Sequence, residues 1–271
     1  MSVSDPLRIC LVGWGAISRR AAALWSRSDG PVRIVAVAVR DTSVPRRDLP
    51  TGARLIGSPD ELLAGLDVDM VVEAAGRDAV APWGRAALGR GTDLLVSSTS
   101  AFVDETLLAD LMHLARANDA RIVIPAGALG GMDALAAGSL LPLDRVTHEI
   151  VKPPAAWRGT PAEKALDLDA LTERNVFFSG TARQAADAYP QNANVAVISA
   201  LAGIGLDRTR VSLVADPAAR LNGHAVEASG AFGRMRIVLE NGPLATNPKS
   251  SEMTALNLVR SVENRRAAII P

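Results

Sequence analysis

Leu7-Arg8-Ile9-Cys10-Leu11-Val12-Gly13-Trp14-Gly15-Ala16-Ile17-Ser18 is the stretch on which the fold turns. Its first six residues are mostly apolar and read as a buried strand. Gly13-Trp14-Gly15 breaks the run, after which Ile17, Ala21 and Leu24 recur at helical spacing. A glycine pair between a strand and a helix is where the pyrophosphate of a dinucleotide rests on helix N-terminal N–H groups. The first glycine makes the turn and the second lets backbone approach phosphate. Ser18, in the third place of the pattern, is small enough for close helix–strand packing. Most Gly-x-Gly pairs are ordinary tight turns. This one opens a complete βαβ series, which favours cofactor binding at Gly13, Gly15, Ala16 and Ile17.

Outward from that loop the pattern repeats. Residues 32–39 are apolar and β-branched and read as strand two, and residues 53–56 as a short strand three. Ser58-Pro59-Asp60-Glu61 has the form of a helix start, with Ser as N-cap, Pro at the first helical position and Glu closing a capping box. Residues 68–74, 93–97 and 121–125 supply three further strands, and residues 78–88 and 104–117 carry helical spacing between them. Six strands and five crossovers in about 125 residues predict a Rossmann-type, doubly wound parallel sheet, assigned to residues 1–127.

The texture changes after Pro125. Ala126-Gly127-Ala128-Leu129-Gly130-Gly131 is small in composition and marks the expected hinge. Residues 146–151, 209–215, 225–232 and 235–240 read as strands separated by turns, with a helical stretch at 182–206 between them. The mix predicts an α/β chain whose second domain, residues 128–249, is α+β on an open, mostly antiparallel sheet. Residues 250–266 place Met253, Leu256 and Val259 on one side of a helix, and the closing segment 250–271 is expected to pack back on the first domain.

Composition narrows the function. Taking about 150 residues per domain, the 271 residues suit one or two domains, and 48% hydrophobic with 21% charged residues is inconsistent with disorder. Lys plus Arg (29) equals Asp plus Glu (29), so no global field attracts nucleic acid or an anionic membrane. With 3% aromatic residues there is little to stack on bases. Cys10 is the single cysteine, which excludes an internal disulfide, a cysteine zinc site and an iron–sulfur cluster. Three histidines without His-Glu-x-x-His spacing give no expected metal site. The apolar run 195–206 is shorter than the roughly 18 residues of a membrane span. Residues 1–6 lack a basic segment followed by an apolar one, so the expected location is the cytoplasm.

Several residues are candidates for chemistry. Val39 stands where NAD enzymes carry an acid, and Arg40-Asp41 follows; a guanidinium there suits the 2′-phosphate of NADP, with Asp41 left for a ribose, and both equally suit a solvated loop. His113 lies on a helix of the first domain and reads as a surface or packing residue. His148 alternates with Val146 and Ile150 in a strand and reads as structural. His224, in Asn222-Gly223-His224, reads as a turn entering a strand, where a general acid/base and a bland role weigh about equally. Tyr189-Pro190-Gln191-Asn192-Ala193-Asn194 precedes an apolar helix, where an amide caps backbone or fixes a carboxamide. Asn247-Pro248-Lys249-Ser250-Ser251 is read as a helix start; Lys249, Ser250 and Ser251 there suit a substrate carboxylate, Lys152 is a second cation for it, and a capped helix with a solvated lysine is the bland alternative.

These residues together resemble one family, the L-aspartate dehydrogenases. The similarity runs nearly the whole chain: Gly13-x-Gly15, Val72-Glu73-Ala74-Ala75-Gly76, Pro125 to Gly131, Asn192-Ala193-Asn194-Val195-Ala196, Asn222-Gly223-His224, Gly230-x-Phe232-Gly233 and Asn247-Pro248-Lys249-Ser250-Ser251. The resemblance implies that His224 is catalytic, that Ala128 and Asn194 contact the nicotinamide cofactor, and that Ala75 and Gly76 join Gly13 and Gly15 in holding it. It implies NAD or NADP as cofactor, L-aspartate or oxaloacetate as substrate and a homodimer formed by the second domain. It also implies a product, iminoaspartate, that can feed quinolinate and NAD synthesis. The loop 40–50, with Arg46 and Arg47, matches no pattern of the family, which leaves cofactor preference open.

Absences agree. Cys10 lies in the first strand, so the thioester chemistry of phosphorylating aldehyde dehydrogenases lacks its nucleophile. Ser97-Ser98-Thr99-Ser100 carries no Glu-Lys-Pro of the sugar oxidoreductases that share this layout. The expected chemistry is oxidation of the amine-bearing carbon of L-aspartate, with His224 as the base. The alternatives are an NADPH-dependent reductase of another imine or keto acid, related to dihydrodipicolinate reductase, and a non-catalytic NAD(P)-binding module.

Overall fold

The structure, a computed structural model, describes residues 5–26, 30–190 and 194–270. Two compact units divide the chain, Met1–Pro125 with Ala255–Pro271 and Ala126–Thr254.

In the first unit, β1 (Leu7–Val12) leads through the glycine turn into α1 (Ala16–Trp25), then β2 (Val32–Ala38), β3 (Arg54–Ile56), α2 (Pro59–Leu63), β4 (Met70–Glu73), α3 (Arg77–Gly89), β5 (Asp93–Val96), a 3-10 turn (Thr99–Val103), α4 (Glu105–Ala117) and β6 (Ile122–Val123). All six strands are parallel, in the order β3-β2-β1-β4-β5-β6. The first two-stranded steps run one way from β1 and the rest the other, so the order reverses beside β1, where doubly wound sheets bind ligands at their strand C-termini. Every residue of β4 and β5 is buried, as expected of strands covered on both faces. Leu7, Ile9 and Leu11 of β1 share a core with Trp25, Met70, Val72 and Leu95. The helix start at Ser58 is present: the Glu61 carboxylate accepts from the Gly57 and Ser58 N–H groups at 2.7 and 3.2 Å.

The second unit holds α5 (Met132–Gly138), β7 (Leu143–Lys152), α6 (Ala162–Ala165), β8 (Asn175–Thr181), α7 (Ala182–Ala188), α8 (Asn194–Ala202), β9 (Arg210–Ala215), β10 (Asn222–Gly230), β11 (Gly233–Asn241), β12 (Pro243–Leu244) and β13 (Asn247–Ser251). Its sheet runs β11-β10-β7-β9-β8, antiparallel except for the β7–β9 pair. Along β7, Val146, His148, Ile150 and Lys152 are buried, whereas Arg145, Thr147 and Glu149 lie on the other face. The chain then returns to the first unit as α9 (Glu252–Glu263), whose Leu258 and Val262 enter the core of β1. Beyond it Arg265 donates from Nε to the buried Asp93 at 2.7 Å.

Three local expectations are corrected. The 247–251 segment does not start a helix: it is strand β13, its Ser251 opposite Pro243, and the helix begins at Glu252, whose N–H bonds the Gly242 carbonyl at 2.9 Å. Pairing with β12 overrides the helix-start chemistry of Asn247-Pro248. The stretch 182–206 is two helices, because Pro190 holds Tyr189 out of the helical region, at φ −133° and ψ 57°. Asn222-Gly223 is not a turn; both residues already pair with β11. Strand β8 and helix α5 were not anticipated. Gln191, Asn192 and Ala193 lie outside the described residues. Among the described residues no helix is long and apolar enough to cross a membrane.

Candidate active site

The glycine loop is shaped by packing against its neighbour. Gly13 has φ +93°, and a Cβ there would lie 2.7 Å from the Ala75 Cα and 2.9 Å from the Ala74 carbonyl oxygen. Only glycine accepts both that backbone and that proximity. Gly15 caps α1, and nothing lies within 4 Å of where its Cβ would be, so its backbone borders open space. The first N–H groups of this ten-residue helix, from Ala16, Ile17 and Ser18, lack intrahelical acceptors by geometry. Ser18 itself is fully buried. These residues fit a dinucleotide pyrophosphate: open backbone donors at a helix N-terminus, on a strand beside the reversal of the sheet.

A residue not anticipated from sequence holds the adjoining turn. Glu73, the last residue of β4, is wholly buried and accepts from the N–H groups of Ala75 (2.8 Å), Gly76 (2.9 Å) and Ser98 (3.0 Å) and from the Ser98 hydroxyl (2.8 Å). Burial raises its pKa, and the four bonds oppose that rise. An acid closing an apolar strand was the available signal. Arg40 is exposed just beyond β2. The Asp41 carboxylate accepts from the Ser43 hydroxyl and N–H at 2.6 and 2.9 Å, which lowers its pKa and engages it within its own loop. Arg46 donates to the carbonyls of Asp41 and Val44. Asp48 ties the loop to the glycine turn, accepting from Trp14 Nε1 and pairing with Arg19 Nε, both at 3.1 Å.

In the second unit, the sheet brings two histidines together. His224 on β10 is opposite Ile150 of β7, and Val226 is opposite His148, so the two imidazoles are diagonal neighbours on one face. His148 Nε2 lies 3.3 Å from His224 Nδ1, and His148 Nδ1 lies 3.0 Å from the Ser199 hydroxyl of α8. Both rings are buried, at 1% and 3% exposure. Burial lowers the His148 pKa to about 3. His224 is held well below its ordinary value, by burial first and then by the nearby positive charges of His148, when protonated, and Lys152. His224 is therefore an uncharged imidazole at neutral pH, the form a general base requires. His148 is buried and hydrogen-bonded, in keeping with the structural role its alternation suggests, and its partners are Ser199 and His224.

Lys152, 5% exposed, has its pKa lowered to about 8 by burial, so it is mostly an ammonium at pH 7. Its Nζ donates to the Lys249 carbonyl at 3.2 Å and stands 5.3 Å from the Trp157 ring centroid. Lys249 is exposed, with its Nζ 3.2 Å from where a Gly159 Cβ would lie. Ser251 is buried and its hydroxyl accepts from Asn222 Nδ2 at 3.3 Å, while Ser250 accepts from Asn247 Nδ2 at 3.1 Å. Thus β13 brings Lys249, Ser250 and Ser251 beside Lys152 and the start of the His224 strand. Ala128 is buried, its carbonyl taking a 2.8 Å bond from Asn241 Nδ2, and Asn194 begins α8, the helix that carries Ser199. His113 lies exposed on α4 of the first unit.

Comparison with known proteins matches both units. Residues 133–265 match the family "Aspartate dehydrogenase, C-terminal", and residues 13–125 match "Homoserine dehydrogenase, NAD binding domain". The chain is 61% identical to the L-aspartate dehydrogenase of Brucella anthropi, covering 100% of both proteins. It is 44% identical to that of Ruegeria pomeroyi, covering 98% of this chain and 95% of that one. The crystal structure of aspartate dehydrogenase from Thermotoga maritima superposes with a TM-score of 0.77 at 28% identity, covering 98% of this chain and 99% of that one.

Proposed function

The chain belongs to the L-aspartate dehydrogenase family and is an NAD(P)-dependent oxidoreductase, and on that premise we propose how its own residues carry out the oxidative deamination of L-aspartate. The observation that carries the proposal is the buried, uncharged His224 beside a buried ammonium. Bound NAD(P) supplies the hydride acceptor. His224 takes a proton from the substrate ammonium, giving the neutral amine whose lone pair forms the C=N bond as the hydride leaves the carbon. The ring releases that proton to solvent, takes one from the water that adds to the iminium carbon and passes it to the nitrogen, which leaves with the hydroxyl proton as ammonium, and oxaloacetate results. Lys152, with Lys249, Ser250 and Ser251, is assigned to the substrate carboxylates. Gly13, Gly15, Ala16, Ile17, Ala75 and Gly76 are assigned to the dinucleotide, Ala128 and Asn194 to the nicotinamide end, and Arg40 to a 2′-phosphate, for which its exposure beyond β2 is the support.

Three finer readings go with this one. Iminoaspartate is a precursor suited to quinolinate and hence to NAD synthesis. The enzyme works in the cytoplasm, where the NAD(P) pool it uses is found. It is a homodimer joined through the face of the second sheet opposite the histidines, where Arg145, Arg210 and Arg236 alternate with Glu149 and Glu227. Following reduced-cofactor absorbance with L-aspartate, D-aspartate, L-glutamate and L-alanine, each with NAD and NADP, tests the activity. L-Aspartate should be the substrate turned over, with NADP accepted at least as well as NAD; a preference for NAD well beyond tenfold would remove Arg40 from its role. Reduction of a cyclic imine or another keto acid, with none of oxaloacetate plus ammonia, would replace the aspartate reading by a reductase one.

A further inference from the structure

His224 can act as a base only through a nitrogen that carries no proton, and a neutral imidazole has its single proton on one of two nitrogens. The chain of bonds behind the ring decides which. Ser199 Oγ donates to the Ala196 carbonyl, one turn back in α8, at 3.0 Å. A hydroxyl has one hydrogen, so toward His148 Nδ1, 3.0 Å away, the same oxygen acts as acceptor. His148 Nδ1 therefore carries the proton of that ring, and its Nε2 presents a lone pair. That lone pair faces His224 Nδ1 at 3.3 Å, with the rings meeting at their edges, centroids 5.5 Å apart and planes inclined by 53°. A bond across this gap needs a proton on His224 Nδ1.

We propose that His148 and Ser199 are positioning residues that fix the proton of His224 on Nδ1, leaving Nε2 bare to take the proton of the substrate ammonium. The relay is anchored on a helix carbonyl, Ala196 O, and runs Ala196 O, Ser199 Oγ, His148 Nδ1 and Nε2, His224 Nδ1. When Nε2 accepts a proton, the imidazolium keeps its Nδ1–H bond to an uncharged neighbour; no proton moves along the relay and none is lost to it. His148 and Lys152, both from β7, are the charged groups acting on His224, and the nearby strand carboxylates, Glu149 of β7 and Glu227 of β10, lie on the opposite face of the sheet. The role of the bare Nε2 rests on the aspartate dehydrogenase reading; the tautomer itself does not.

The chain has three histidines, which makes the nitrogen-15 imidazole spectrum of the intact protein a direct readout. His148 and His224 should each appear as the neutral Nδ1–H tautomer, assigned by loss of signals in His148→Gln and His224→Gln. Ser199→Ala, which suits a helix, takes away the acceptor and should move both rings toward the Nε2–H form. In kinetics, His148→Phe keeps a ring but no acceptor and should lower kcat by about 10–100-fold with the KM for cofactor unchanged. His148→Gln, whose amide oxygen can accept the same bond, should restore kcat to within about threefold of wild type. An Nε2–H tautomer on His224 in the wild-type protein overturns the inference, as does a Gln variant no better than Phe. Inactivity on aspartate with His224 in the Nδ1–H form overturns the functional reading instead and upholds the relay.

Discussion

The two units hold their functional groups by different means. In the first, the candidate dinucleotide cradle is backbone: Gly13 to Ser18 are consecutive, their conformation is set by one strand-to-helix turn, and the groups offered are peptide N–H groups. In the second, the site is made of side chains from separate elements. His148 and Ser199 are 51 residues apart, and His148 and His224 are 76 apart. A backbone site tolerates changes of side chain provided the turn survives, whereas a side-chain site survives changes of backbone context provided sheet register is kept. Substitutions should therefore act through different quantities in the two units, turnover in one and affinity with stability in the other.

The largest effect is expected in the second unit. His224→Ala removes the base and should lower kcat by roughly 10²–10⁴-fold, while the dissociation constant for NAD(P), measured by fluorescence titration, stays near wild type. Turnover close to wild type would break the assignment of chemistry to this unit. The counterpart in the first unit is Gly13→Ala. The added methyl would sit 2.7 Å from the Ala75 Cα in a backbone at φ +93°, and the strain should cost about 1–3 kcal/mol of stability. Cofactor affinity should fall with it, because relief requires β1 and β4 turns to separate. An unchanged unfolding midpoint and an unchanged cofactor affinity would show that the turn is not determined by this glycine.

The same contrast explains what could be read in advance. Gly13-Trp14-Gly15, the apolar strands and Ser58-Pro59-Asp60-Glu61 are local signals, and parallel strands buried on both faces announce themselves as unbroken apolar runs. The order of the sheet follows from connection rules once those strands are known. The second unit offers no such rules. Strand β8 is half exposed and carries a register shift between Val176 and Phe178, so its alternation is broken. Asn247 to Ser251 has the composition of a helix start and becomes a strand only because β12 lies alongside. His224 is singled out as a candidate base by its place in a motif, whereas the alternation Val146-Thr147-His148-Glu149-Ile150 gives His148 a structural role and does not state that β10 will bring a second imidazole within 3.3 Å. Glu73 closes an apolar strand, and its four hydrogen bonds are complete only when the turn after β5 supplies Ser98.

Acid should separate the two units, with the smallest but most regional effect. His148 titrates at about 3 in the folded chain and His224 is also held well below its ordinary value, against about 6.5 when unfolded. Above pH 6.5 both rings are neutral in both states and their contribution to stability is constant. Below it the unfolded chain binds protons that the folded chain refuses, so stability falls with pH, by roughly 1.4 kcal/mol per pH unit for each ring, and continues to fall until the folded values are reached. In the first unit Glu73 has the opposite sign: its raised pKa gives a contribution that is complete below the ordinary glutamate value and is lost as pH rises through the folded one. Asp69, lowered chiefly by its hydrogen bond with Arg8, loses its contribution only as pH falls below the ordinary aspartate value, outside the window from 7 to 5. Hydrogen exchange at pH 7 and pH 5, corrected for intrinsic chemistry, should thus show amides of β7 and β10 losing protection while those of β1 and β4 keep it. Equal loss in both units would mean that they unfold as one body, and the buried histidines would then be a property of the whole chain and not of the side-chain site alone.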